Sequence, residues 1–195
     1  MSRVSSRSAR PVRRVATPPS VAGFRPAGAA LAVAAAFVLL PGVQAQPAGG
    51  QAIHGQASFT SQGNNLLVTT RNGAGTSHSA INWQSFSIGA SEYVVFNQPS
   101  ASAAVLNRVI GNLPSEILGN LTANGQVFLI NAQGVMFGAG SRVDVGALVT
   151  STRDIRNDDF LAGNYVFAGD SQAGIRNDGD IRSADGGYVV LVADN

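Results

Sequence analysis

Two histidines and a scatter of carboxylates are the side chains in this chain that could do acid–base or metal chemistry. His54 and His78 stand in Gly- and Ser-rich stretches with no second ligand at metal spacing and no acidic neighbour, so both read as loop histidines. The carboxylates offer more. Asp158-Asp159, and the group Asp178, Asp180 and Asp185, could supply a pair for glycoside cleavage or a calcium site, with Arg153, Arg156, Arg176 or Arg182 beside them. Against that, "RNDDF" and "RNDGD" have the composition of solvated turns, and a paired-glycine calcium nonapeptide is missing. No G-x-S-x-G elbow is present, and a chain without cysteine has no thiolate chemistry. The "NLT" at Asn120 matches a glycosylation acceptor only in pattern. No residue is assigned a catalytic role, no metal or cofactor is expected, and the expectation is a protein that is not an enzyme.

The elements that would position such groups are short. Across "NGQVFLINAQGVMFGAG", four consecutive apolar residues run into Asn131-Ala132-Gln133-Gly134 and then Val135-Met136-Phe137, without a charge. Similar runs bounded by Gly or Asn recur from Gln51 onward, and none has helical periodicity. Strands are expected at 57–60, 66–70, 79–82, 93–96, 104–109, 127–130, 135–137, 143–145, 148–150, 165–167 and 188–192, which makes the domain all-β.

Consecutive apolar positions and isolated breakers suit a solenoid better than an antiparallel sandwich, which alternates and uses two-residue hairpins. "INAQGVMF" from Ile130 resembles "IRNDGDIR" from Ile175, and their offset of 45 residues corresponds to two turns of roughly 22. In such a coil each turn pairs only with its neighbours. Asn131 and Asn177 are expected at bends, where Asn tolerates tight φ and can bond across stacked turns. A solenoid end must be capped, and Trp83, Phe86 and Ile88 in "INWQSFSIG" are expected to pack over it.

Composition sets the compartment. Of 195 residues, 45% are hydrophobic and 12% charged, enough for a real core. Six of the 13 basic residues fall in the first 25 positions, followed by the apolar run Ala27–Leu40 and small residues at Val43 and Ala45. Residues 1–45 therefore read as a secretory signal peptide with a long basic n-region, cut between Ala45 and Gln46. At 14 residues the run is shorter than the roughly 18–20 of a membrane span. What remains is seven Arg against eleven carboxylates, about −4, which argues against a nucleic-acid partner.

Three stretches carry a family resemblance: "INWQSFSIGASEYVVFNQPSASAAVLNRVIG", "SEILGNLTANGQVFLINAQGVMFGAGSRVDVGALVTSTRDI" and "DFLAGNYVFAG". They resemble the N-terminal secretion domain of filamentous-haemagglutinin-type exoproteins of the bacterial two-partner secretion pathway. The resemblance spans roughly Ala52 to Val192. The family's Asn-Pro-Asn-Gly-Ile segment is met by Asn131, Gly134 and Val135, while Ala132 and Gln133 depart from it; its Asn-Pro-Asn-Leu element has no clear counterpart.

The resemblance implies a right-handed parallel β-helix with an N-terminal β cap. On that basis residues 46–112 would hold the cap and first coils, and residues 113–195 further coils that stop before an end cap. It further implies recognition by a partner outer-membrane β-barrel transporter with periplasmic polypeptide-transport-associated domains, with residues 131–135 as the recognition or turn motif. The passenger would coil at the cell surface, and the full-length adhesin would bind a host-cell surface or glycan. Two other readings remain open from the residues: a carbohydrate-active β-helix enzyme using Asp158 or Asp178, and an exported structural coil without a dedicated transporter.

Overall fold

The computed structural model describes residues 46–194. The expected signal segment, including Ala45 at the cleavage position, lies outside the described residues; Gln46 is the first of them.

The chain builds a cap and then winds. The cap is β1 (Gln51–His54) and β2 (Gln56–Gln62), and the first rung is β3 (Asn65–Arg71) and β4 (His78–Trp83). A second rung holds β5 (Tyr93–Asn97) and β6 (Ala104–Val109), a third β7 (Ser115–Ile117), β8 (Asn120–Ala123) and β9 (Gln126–Ile130). The fourth is β10 (Val135–Phe137), β11 (Arg142–Val145) and β12 (Ala147–Ser151). An insertion follows, with β13 (Asp154–Ile155), the short helix α1 (Asn157–Leu161) and β14 (Phe167–Ala168). The fifth rung is β15 (Ile175–Asn177), β16 (Asp180–Ser183) and β17 (Val189–Val192).

Stacking the rungs produces three sheets, ordered β1-β4-β6-β9-β12-β17, β2-β3-β5-β8-β11-β16 and β7-β10-β15. Every rung-to-rung pairing is parallel, as in β6 with β9 and β9 with β12. The cap strands run against this grain, β1 on β4 and β2 on β3 being antiparallel, as does the small β13–β14 pair of the insertion. The molecule is an all-β parallel β-helix with an N-terminal β cap.

Register gives the length of a turn. Val135 sits beside Ser115, Arg142 beside Asn120 and Ala147 beside Gln126, displacements of 20, 22 and 21 residues. The roughly 22-residue coil is therefore real, but the 45-residue repeat is not two turns. Ile175 stacks on Val135 rather than Ile130, and the fourth and fifth rungs are adjacent. The excess length is the insertion, residues 152–174, which leaves the coil after β12 and returns at β15.

That insertion explains why Val127-Phe128-Leu129-Ile130 is apolar on every position. Val127 and Leu129 point into the helix interior, in one cluster with Ile81, Val105 and Leu148. Phe128 and Ile130 point the other way, where Ile155 and Phe160 of the insertion cover them in a second cluster with Leu106 and Val149. Phe160 meets Phe128 edge-on at 5.1 Å. All four residues of the run are buried, so the strand needs no polar face.

One corner of the coil, from the third rung on, admits no side chain. Between the second and first sheets the backbone turns at Ala103, Gly125, Gly146 and Gly187 in successive rungs. A Cβ on Gly125 would lie 2.6 Å from Ala103 O, one on Gly146 2.7 Å from Gly125 O, and one on Gly187 against Gly146 O. Close backbone approach, carried by bonds such as Gly146 N–H to Gly125 O at 2.9 Å, is what demands glycine here.

Candidate functional site

The segment Asn131–Val135 forms the bend between β9 and β10, and it is built from a buried amide outward. Asn131 is 1% exposed. Its Oδ1 accepts the Gln133 N–H at 2.9 Å, closing an Asx turn, while Nδ2 donates to Leu113 O and Ser115 Oγ, both at 3.0 Å. Leu113 and Ser115 lead into the preceding rung, so one side chain shapes its own bend and ties it to the previous turn. Gly134 closes the bend at φ 106°, a region that favours glycine, and its N–H returns to Asn131 O at 3.0 Å. Val135 then enters the core.

Ala132 and Gln133, the two residues that depart from the family pattern, are the exposed tip. Ser171 Oγ of the insertion donates to Ala132 O at 2.7 Å. Beside the tip runs a shallow groove of about 520 Å³ floored by Val135 and Met136 and bordered by Pro114, Ala173 and Ile175. Glu116 and Arg176 flank Met136 in register on the outer face of β7, β10 and β15. The arrangement offers an apolar floor between opposite charges and a protruding uncharged turn. Apart from Glu116 and Arg176, the residues that line the groove carry no ionisable side chain.

Asn177 does not stack on Asn131. It pairs with Phe137 and uses its Oδ1 to accept the Gly179 N–H at 3.1 Å, a separate Asx turn. Another tie between rungs is a reciprocal amide pair, in which Asn124 Nδ2 donates to Gln98 O at 2.8 Å and Asn124 Oδ1 accepts the Gln98 N–H at 2.7 Å.

At the cap, Trp83 and Phe86 are buried with ring centroids 5.5 Å apart, and Phe59 of β2 lies edge-on to Trp83 at 5.1 Å. Ile88 is buried as well and bridges in parallel to Ile117, so it belongs to the second rung. Gln46 reaches back to donate from Nε2 to Gly63 O at 3.3 Å.

The remaining candidates do not assemble a catalytic centre. Asp178 pairs with Arg176 at 2.6 Å, Asp180 with Arg182 at 2.8 Å and Asp159 with Arg156 at 3.7 Å, each a surface pair between near neighbours. Asp158 and Asp159 occupy the first turn of α1, where a carboxylate suits the helix N-terminus. Among the described residues no three His, Asp or Glu gather as a metal-holding group.

The histidines are strand residues, contrary to the loop expectation. His54 on β1 contacts Thr76 Oγ1 at 3.2 Å, and His78 on β4 lies 3.2 Å from Tyr165 OH with its ring edge-on to Phe160 at 4.8 Å. Burial under the insertion, and then His54 nearby, holds the His78 pKa below its ordinary 6.5. Burial, and then Tyr188, raises that of Tyr165.

A further residue went unnoticed in the sequence. Arg108 on β6 clamps the insertion, donating from Nε to Asp154 Oδ1 and from Nη1 to Asn157 Oδ1, both at 2.8 Å, and from Nη2 to Ile155 O. The available signal was a polar Asn107-Arg108 pair inside an otherwise apolar strand.

With this geometry in place, comparison with known proteins is specific. The model of the TPS secretion domain matches residues 43–195. A heme/hemopexin-binding protein of Haemophilus influenzae is 37% identical over 109 residues, 56% of this chain and 12% of that protein. A second Haemophilus influenzae protein of the same name is 40% identical over 93 residues, 48% of this chain and 10% of its own length. The chain thus spans about a tenth of the length of these curated relatives. Among solved structures, the HMW1 secretion domain from Haemophilus influenzae superposes with a TM-score of 0.66 at 32% identity, covering 74% of this chain and 38% of that one.

Proposed function

The chain belongs to the TPS secretion domain family, and from that premise we propose that it is the N-terminal targeting domain of a large secreted, adhesin-like exoprotein of two-partner secretion. In this reading residues 1–45 are the export leader, and a partner outer-membrane transporter engages the domain through its periplasmic polypeptide-transport-associated domains. The β-helix is then the template on which later rungs coil at the cell surface, because each rung needs only its predecessor as a pairing edge. The domain has no enzymatic activity. Binding to a host-cell surface or glycan belongs to the exoprotein as a whole.

The observation that carries this reading is the match over residues 43–195 on a capped parallel coil. The transporter contact is assigned to the exposed Ala132–Gln133 tip and the groove beside it. Asn131 sets the shape of that tip from beneath.

The test is export from a Gram-negative host with and without the partner transporter. Transporter-dependent appearance in the medium is expected, reduced by Gln133→Arg while circular dichroism and thermal melting of the variant stay unchanged. Equal release without the transporter would sink the reading. Export indifferent to Gln133→Arg would remove the tip from the contact.

A further inference from the structure

At the cap end the second sheet stops at β2, and this strand lacks the features that normally protect an edge. It is seven residues long, Gln56-Ala57-Ser58-Phe59-Thr60-Ser61-Gln62, with no charge and no proline. Its pairing with β3 is regular from Gln56↔Arg71 to Gln62↔Asn65, without a bulge.

The backbone shows which groups face outward. Tyr93 N–H bonds to Asn64 O, so the even-numbered residues of β3 turn their amides toward β5. Asn65, Leu67, Thr69 and Arg71 therefore turn theirs toward β2, where they meet Gln62, Thr60, Ser58 and Gln56. Ala57, Phe59 and Ser61 are left directing their N–H and C=O groups to the outer edge.

Two more observations narrow what could pair there. Phe59 stands in register with the buried Val68 and leans on Trp83, which places its ring on the core side of the sheet, yet it is 39% exposed. The strand is also nearly palindromic about it: Gln56 mirrors Gln62, Ala57 mirrors Ser61, and the hydroxyl residues Ser58 and Thr60 mirror each other.

We propose that the β2 edge pairs with β2 of a second copy of this chain, antiparallel about a two-fold axis at Phe59. Such a pair exchanges main-chain bonds between Phe59 and its counterpart, and between Ala57 and Ser61 in both directions. The second sheet then runs continuously through both molecules, the two caps meet end to end, and the two Phe59 rings lie side by side and cover one another. No like charges meet across the seam. A single strand pair buries less than the roughly 1,200 Å² of a standard stable interface, so the dimer is a weak, transient one. The pairing is independent of the transporter reading, since it needs no partner protein.

The absence of cysteine supplies a test of register. In the proposed pair Ser58 faces Thr60 of the other copy, whereas two Ser58 side chains are offset along the strands and too far apart for a disulfide. Mild oxidation of a mixture of Ser58→Cys and Thr60→Cys chains is expected to give linked dimers, and either variant alone to give at most traces. In sedimentation equilibrium, Ser61→Pro, which removes an outward N–H without touching the β3 ladder, is expected to weaken self-association at least tenfold with an unchanged melting curve. A chain monomeric up to about 1 mM overturns the proposal, as does a dimer indifferent to Ser61→Pro or cross-links that ignore the mixing rule. Loss of transporter binding in Ser61→Pro without any self-association would also overturn it and assign the edge to the transporter.

Discussion

Trp83 of the first rung donates its indole Nε1–H to Asn107 Oδ1 of the second across 3.0 Å, inside the core. Asn107 passes the tie on, donating from Nδ2 to Phe128 O of the third rung at 3.2 Å. Three successive turns are joined by two side chains that water does not reach, a small network with every member of the chain of bonds engaged.

Trp83→Phe removes the donor but keeps an aromatic ring, leaving a buried acceptor unpaired. A loss of about 1–3 kcal/mol is expected in chemical denaturation. In a double-mutant cycle with Asn107→Leu, the two losses should fall short of adding by about 0.5–3 kcal/mol. Strict additivity would show that the bond contributes nothing to stability.

Asn131 and Gln133 should separate folding from recognition. Asn131→Ala gives up the Asx turn and both bonds to the previous rung, and is expected to destabilise by about 2–4 kcal/mol, more than one buried hydrogen bond. Gln133→Ala at the exposed tip should stay within about 0.5 kcal/mol of the parent, yet lower transporter-dependent export. Denaturation midpoints set beside secretion yields check both.

Arg108→Met keeps much of the aliphatic stem and loses all three bonds to the insertion. Since Asp154 is mostly solvent-exposed, the expected cost is modest, about 1–2 kcal/mol. Its location matters more than its size. Hydrogen exchange should accelerate across residues 154–168 and stay slow in β9 and β12; uniform acceleration would mean that the insertion and the coil open together.

Burial makes the folded state prefer neutral His78, so its pKa there lies below the 6.5 of the ordinary side chain. As pH falls below 6.5 the unfolded chain takes up the proton first, and stability declines until the depressed folded value is passed. Melting temperature followed from pH 8 to 4 should show that decline, with a smaller slope in His78→Gln. A matched His54→Gln series isolates the contribution of the neighbouring ring.

How far the fold could be read from the residues depended on which face each strand buries. Val127–Ile130 and Ala104–Val109 announce themselves because both faces are covered. By contrast, Ser115–Ile117, Asn120–Ala123, Ile175–Asn177 and Asp180–Ser183 carry a polar outer face and only one or two inward apolar residues, too few for a periodic signal. The one helix among the described residues has one turn and one buried residue, Phe160. The 45-residue offset misled because Gly and Asn punctuate every bend, so a match of bends does not fix which rungs are neighbours. At the candidate site, the types of Asn131 and Gly134 indicated a turn, but only the fold brings Leu113 and Ser115 beneath it. Nothing in the sequence spacing places Arg108 over Asp154, or His78 under Tyr165, because the insertion folds back across strands formed much earlier in the chain.

The corner after β12 and the glycine corner have opposite tolerances. At the first, residues 152–174 depart and return without disturbing the alignment of Val135 with Ile175 or Leu148 with Val189. At the second, from the third rung on, not even a methyl group fits beside the neighbouring carbonyl. Variation in such a coil is therefore channelled: new sequence can be spliced between Ser151 and Ile175, where it meets a broad sheet face to lie on, while Gly125, Gly146 and Gly187 act as fixed pitch marks. A foreign loop grafted at the first corner would be displayed on an unaltered scaffold, and the same loop at the second would stop the winding.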